Sequence, residues 1–179
     1  MAPPRTLLVL ALFAAVSLLV WAPVAAQEES QEGGLPLVEQ LAGLVWNRNV
    51  GSIDGGEAAF RKQVERMVTD AVAAGANLDS MDHEGRTPLH WAAANGEVAV
   101  VQSLVQEGAD LNLGCRYAFQ SPLHYASRWG RTEVAKELVD SGADVWRRDR
   151  FGKTAIHAAS VGGHRGVEDY LAGRGAVLE

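Results

Sequence analysis

Three histidines recur at a near-constant interval. His90, His124 and His157 are separated by 34 (124 minus 90) and 33 (157 minus 124) residues. Imidazole is the commonest metal ligand and a ready general base. A metal ladder and a Ser–His pair are therefore the first chemistries to test. Equivalent residues in stacked helical units lie roughly 10 Å apart, whereas ligands of one zinc ion need nitrogens at about 2.0–2.1 Å. A shared ion does not fit that spacing. Ser121 precedes His124 by three residues on the same short segment, with no third group in view to orient the ring. Both read as structural. The carboxylate pair Glu168-Asp169 falls on an amphipathic helix and reads as a solvated face. Gly55-Gly56 and Gly162-Gly163 lack the strand–loop–helix context of a phosphate cradle. Cys115 is the single cysteine, so neither an internal disulfide nor a zinc motif can form from it, and it reads as a small buried hydrophobe. His83 and His164 stand outside the pattern and read as solvated. The expectation is no catalytic residue, no cofactor and no metal.

What the histidines do mark is a repeat. Thr87-Pro88-Leu89-His90 returns as Ser121-Pro122-Leu123-His124 and as Thr154-Ala155-Ile156-His157. A second marker runs in phase: Gly75-Ala76, Gly108-Ala109, Gly142-Ala143 and Gly175-Ala176. Each unit has a physical reading. Thr87, Ser121 and Thr154 cap a helix start, with proline favoured at the first helical position. Short helices over 88–95, 122–129 and 155–161 carry small residues that let neighbours approach, and Gly96, Gly130 and Gly163 end them. Return helices over 98–106, 132–139 and 166–172 place their apolar residues on one face. Gly75, Gly108, Gly142 and Gly175 stop the return helices.

The T-P-L-H-x-A block, the G-A-D-L/V block and the period of about 33 residues resemble the ankyrin repeat family over roughly 60–179. The resemblance implies an all-α solenoid of stacked helix pairs with projecting hairpin turns. It also implies that His90, His124 and His157 hydrogen-bond backbone near the turns. Asp82-x-x-Gly85-x-Thr87 and Asp149-x-x-Gly152-x-Thr154 match the family hairpin. The middle unit departs: Arg116 stands for the Asp, Phe119 for the Gly, and one residue is inserted between Gly108 and Arg116.

The sequence ahead of the repeats divides in three. Residues 1–26 read as a secretory signal, with Arg5, an apolar run over 7–20 and small residues at the cut. Residues 27–34 are a polar, disordered linker. Residues 35–81 form a degenerate capping repeat, with helices over 36–47 and 57–74 whose stripes begin with Leu37 and Phe60. Three repeats follow, at about 82–114, 115–148 and 149–179. The protein is expected outside the cytosol, periplasmic or else secreted, and off the membrane once the signal is cut.

Composition limits the partner. Hydrophobic residues make up 47% of the chain, enough for a packed core, and the formal net charge is −6. That balance argues against nucleic acid. Yet from Arg116 to Lys153 eight Lys/Arg face five Asp/Glu, a local +3. Partners of ankyrin stacks dock on hairpin tips and the first-helix surface. That mapping gives Arg86, Tyr117, Arg128, Trp129, Arg150, Phe151 and Lys153 as partner-binding residues, for an acidic or mixed protein face. Phe119, Trp146 and Arg147 are candidates for the same group. The function implied is a non-enzymatic protein-binding module, such as one that assists or protects an exported enzyme. A secreted inhibitor or host-directed factor would use the same surface, and an enzyme with its site in the groove is the third class.

Overall fold

The computed structural model describes residues 37, 39–41 and 56–176, all within one unit, Leu35–Glu179. The signal and the polar linker lie outside the described residues, as does most of the first capping helix. From residue 56 on, the described residues form seven helices in order: α1 Gly56–Ala73, α2 Pro88–Asn95, α3 Val98–Gln106, α4 Pro122–Arg128, α5 Thr132–Asp140, α6 Ala155–Gly162 and α7 Arg165–Gly173. Residues 37 and 39–41 are also helical. Among the described residues there is no strand, and no helix is long and apolar enough to cross a membrane.

The helices form two rows. α2, α4 and α6 stack as an inner row, and α1, α3, α5 and α7 stack behind them. Helices of seven to nine residues are marginal alone, so the packed face must hold them. The inner helices meet through Ala92, Ala93, Ala126 and Ala159, all fully buried, flanked by Leu89, Leu123 and Ile156. The outer row contributes Val100, Val101, Leu104, Val134, Leu138, Val167 and Leu171. Phe60, Val64 and Val68 of α1 join this core, as do Leu37 and Leu41. Gly75, Gly108, Gly142 and Gly175 all lie in the left-handed region, with φ of 80°, 91°, 101° and 94°, just after the outer helices.

Each inner helix begins in the same way. The Thr87 hydroxyl lies 2.8 Å from Nδ1 of His90, and the Thr87 N–H donates to that nitrogen at 3.2 Å. Because Nδ1 faces an N–H it is an acceptor, so Nε2 carries the ring proton. That Nε2–H donates to the Gln120 carbonyl of the following hairpin at 2.8 Å. His124 repeats the arrangement with Ser121 and the Lys153 carbonyl, the latter at 3.0 Å. His157 receives the Thr154 N–H and lies 2.8 Å from its hydroxyl. Each of these rings bonds backbone at its own cap, and His90 and His124 also join one unit to the next.

The hairpins are linked in series. The Arg116 N–H donates to the Gly85 carbonyl at 3.0 Å, and the Arg150 N–H to the Ala118 carbonyl at 2.8 Å. A second series runs through the turns: the Asp110 N–H donates to Oδ1 of Asp79, and the Asp144 N–H to Oδ1 of Asn112. The third position in this series is Trp146, whose side chain has no oxygen; its ring lies beside Gly175.

The middle hairpin corrects the sequence reading. Asp82 and Asp149 close their hairpins by donating N–H to the carbonyls of Arg86 and Lys153, four residues on. The equivalent bond runs from the Cys115 N–H to the Gln120 carbonyl, five residues on. Cys115, not Arg116, therefore stands for the Asp, and the extra residue sits inside the hairpin rather than ahead of it. Phe119 does replace the glycine: its φ is +53°, beside +73° at Gly85 and +74° at Gly152. Gly114 is needed because a Cβ there would meet the Phe119 carbonyl oxygen at 2.8 Å.

Candidate functional site

The reactive groups are accounted for by the fold. Ser121 and His124 are within hydrogen-bonding distance, yet they are only 1% and 2% exposed, so no substrate reaches them. Burial pushes His90 down to about 4, against the opposing bond to the Gln120 carbonyl. Burial lowers His124 as well, opposed by the Lys153 carbonyl. Both rings stay neutral. Burial would raise Asp82, but the Arg86 N–H and guanidinium and the Glu84 N–H outweigh it and hold the carboxylate below its usual range. Cys115 is buried, and the neighbouring Tyr125 hydroxyl is pushed up to about 12, first by burial and then by the Cys115 sulfur. No group of three His, Cys, Asp or Glu able to hold a metal occurs among the described residues.

The exposed apolar residues lie elsewhere. Tyr117, Phe119, Trp129, Trp146 and Phe151 are all at least half exposed, and Val161 is 90% exposed. All of these belong to the second or third unit; Met81, 36% exposed, lies in the cap. The tips of those two hairpins are bound together, since Arg150 also donates from Nη1 to the Tyr117 carbonyl at 3.2 Å. Tyr117, Arg150 and Phe151 thus share one pair of tips, with Phe119 alongside. Trp129 follows the last residue of α4.

A second cluster lies along the inner row. A pocket of about 310 Å³ is lined by Gln120, Arg128, Asp149, Lys153, Ala158 and Val161, with His157 and Ser160 completing the wall. Arg128 comes from the end of α4, Lys153 from the third hairpin, and Ala158 and Val161 from α6. Asp149 is saturated: Oδ1 accepts the N–H groups of Phe151 and Lys153, and Oδ2 accepts Gln120 Nε2. Burial works to raise Asp149, but these donors outweigh it and keep the carboxylate ionised.

Of the residues chosen from sequence, Arg128 and Lys153 meet at this pocket, and Tyr117, Arg150 and Phe151 meet at the tips. Arg86 joins neither group. It is half-buried and paired with Asp82 at 3.0 Å and Glu84 at 2.8 Å. Trp146 packs by the end of α7, with its N–H donating to Asp144. His164 is not a solvated side chain. Its Nε2 lies 3.0 Å from the Arg128 carbonyl, and its ring fills the space beside Gly130 and Gly162, where any Cβ would clash at 2.5 Å. The sequence reading missed Ala158 and Ser160. The spacing 157, 160, 161 on one helix was the available signal.

The family model for ankyrin repeats, in three copies, matches residues 56–149 and 121–178. The chain belongs to the ankyrin repeat family. Ankyrin repeats mediate protein–protein interaction and are generally not enzymes. Individual relatives match over short segments. "Ankyrin repeat family A protein 2" of Mus musculus is 56% identical over 36 residues, 20% of this chain and 12% of that protein. The "RelA-associated inhibitor" of Mus musculus is 53% identical over 38 residues, 21% of this chain and 5% of that protein. A "Palmitoyltransferase akr1" of Emericella nidulans is 55% identical over 31 residues, 17% of this chain and 4% of that protein. The chain thus spans only about one repeat's worth of each relative.

Proposed function

We propose that this ankyrin protein is exported and holds a partner protein outside the cytosol through the tips of its second and third hairpins and the adjoining inner-helix surface. The observation that carries the reading is the segregation of exposed aromatics. Tyr117, Phe119, Trp129, Trp146 and Phe151 are left open on two neighbouring units, and no other Phe, Tyr or Trp among the described residues is as exposed. Large aromatic side chains bury much area at little entropic cost and dominate interface energetics. A non-enzymatic role fits, because the one Ser–His pair that resembles catalytic groups, Ser121–His124, is sealed inside a helix cap. Export is supported by the composition of residues 1–26. Assisting or protecting an exported enzyme is the role we assign.

The test is capture of a partner from the extracytoplasmic fraction with the full chain, repeated with Trp129→Ala. Recovery of one stoichiometric protein, lost with the variant, supports the reading; equal recovery by both overturns the surface. Inhibition of the captured protein would move the module to the inhibitor class. N-terminal sequencing of the exported form should begin at Gln27, and residence in the cytosol would overturn the export.

A further inference from the structure

Resting on the reading of the chain as a protein-binding module, we propose that the pocket between Arg128, Lys153, Ala158 and Val161 is a subsite for an acidic side chain of an extended partner segment, whose neighbouring apolar side chain lies on Val161.

Two cations border this pocket without an internal role. Arg128 and Lys153 are exposed, and their side chains make no hydrogen bond or ion pair among the described residues. Several neighbouring cations are engaged. Arg86 is paired with Asp82 and Glu84, Arg131 donates to the Ala94 carbonyl, Arg148 to Gly152 and Arg150 to Tyr117. The pocket's own carboxylate is one negative charge against two positive ones and pairs with neither side chain, because both Asp149 oxygens are already bound to N–H donors of Phe151, Lys153 and Gln120. The pocket therefore sets a guanidinium and an ammonium, neither of them paired, against one carboxylate, a local excess of positive charge within a segment carrying +3 in a chain of net −6. A carboxylate is the complement to that pair, and such charge-assisted hydrogen bonds are among the stronger ones in proteins.

The apolar wall specifies the neighbour. Val161 is the most exposed of the large hydrophobics, at 90%, and it stands one helical turn from His157 on the pocket side of α6. Its counterparts in the earlier units, counted seven residues from the capping hydroxyl, are Ala94 and Arg128. A branched aliphatic residue at this place offers only apolar area, which favours a Leu, Ile or Phe beside the acid. Gln120 and Lys153 in its wall come from the two hairpins that carry the aromatic tips, so a segment held in the pocket lies next to those tips. One partner would then bind both.

The test is selection of random twelve-residue peptides on the immobilised full chain, followed by affinity measurement of the enriched peptides on the wild type and on the Arg128→Glu/Lys153→Glu double variant. The enriched sequences should carry Asp or Glu within two positions of Leu, Ile or Phe. The double variant should weaken them at least tenfold, and replacing the peptide's acid by Lys should restore part of the loss on that variant. Unchanged thermal melting of the variant checks that the fold is kept, as both side chains are exposed. Enrichment of peptides without an acid, binding indifferent to the double variant, or no enrichment overturns the subsite. Peptides that depend on Tyr117 and Phe151 but not on Arg128 and Lys153 would overturn it while leaving the module reading intact. Binding of phosphatidylserine vesicles lost in the same double variant would assign the cations to a lipid headgroup and overturn it too.

Discussion

Acidification should destabilise this fold well before its carboxylates titrate. His90 is fully buried and held at about 4, against 6.5 for an ordinary histidine. Between those two values the unfolded chain binds a proton that the native protein does not, so stability falls as the pH drops through the window. Each unit of separation corresponds to about 1.4 kcal/mol, and the linkage integral from about pH 7 to about pH 4.5 gives a loss of about 2.5 kcal/mol from this ring alone. His124, also pushed down by burial, adds loss of the same sign. Asp82 and Asp149 do not contribute there: both lie below 3.8, so their stabilisation is present above 3.8 and lost only as the pH falls below it. The geometry supplies the cause. A second proton on His90 would sit on Nδ1, where the Thr87 N–H already points, and the helix cap would open. Urea unfolding followed by helical circular dichroism at the two pH values measures the loss. His90→Gln keeps an acceptor for the Thr87 N–H but cannot titrate. It should be less stable at neutral pH, by about 1 kcal/mol for the lost bond to Gln120, yet should lose clearly less on acidification. If the variant loses as much stability as the wild type between the two pH values, the argument from burial is wrong.

Other outcomes follow from the hairpins. Gly85→Ala would place a Cβ 2.3 Å from the Arg116 Cβ at a φ of +73°, whereas the same change at Gly152 meets open space at +74°. The first should cost at least about 2 kcal/mol and the second about 1 kcal/mol, read from thermal melting. Phe119→Gly removes a left-handed non-glycine residue and should stabilise the chain by about 0.5 kcal/mol while weakening partner binding. Arg86→Ala should leave partner affinity within about twofold, because its guanidinium is committed to Asp82 and Glu84. The Cys115 thiol, 3% exposed, should react with a thiol reagent at a measurable rate only after denaturant is added.

The repeat was legible because its markers are local. A hydroxyl before proline, a histidine three residues on and a glycine after each helix act within one turn, and the helix ends fall within a residue of those expected. The middle hairpin was not legible. Counting back five residues from Ser121 gives Arg116, and counting forward seven from Gly108 gives Cys115; only the bond to the Gln120 carbonyl decides between them. The pocket was half legible. Arg128 and Lys153 were visible as exposed cations, but their meeting depends on α4, α6 and a hairpin arriving together. The ion pairs of Arg86 were not read for the converse reason: its two acidic neighbours, close in sequence, fold onto it. His164 looked like a surface residue because nothing in its own segment reveals the gap left by Gly130 and Gly162.

The side-chain series through Asp79 and Asn112 has a consequence for how such an array can grow. Each of these oxygens stitches its turn to the backbone of the unit behind it. Duplicating either unit copies the stitch with it, so the new neighbour arrives already fastened. Trp146 breaks the thread: the third unit packs behind it through its helices without such an oxygen, and a unit inserted there would gain no stitch. Trp146→Asn would supply the missing oxygen to a unit inserted there, and insertion ahead of it needs no such change.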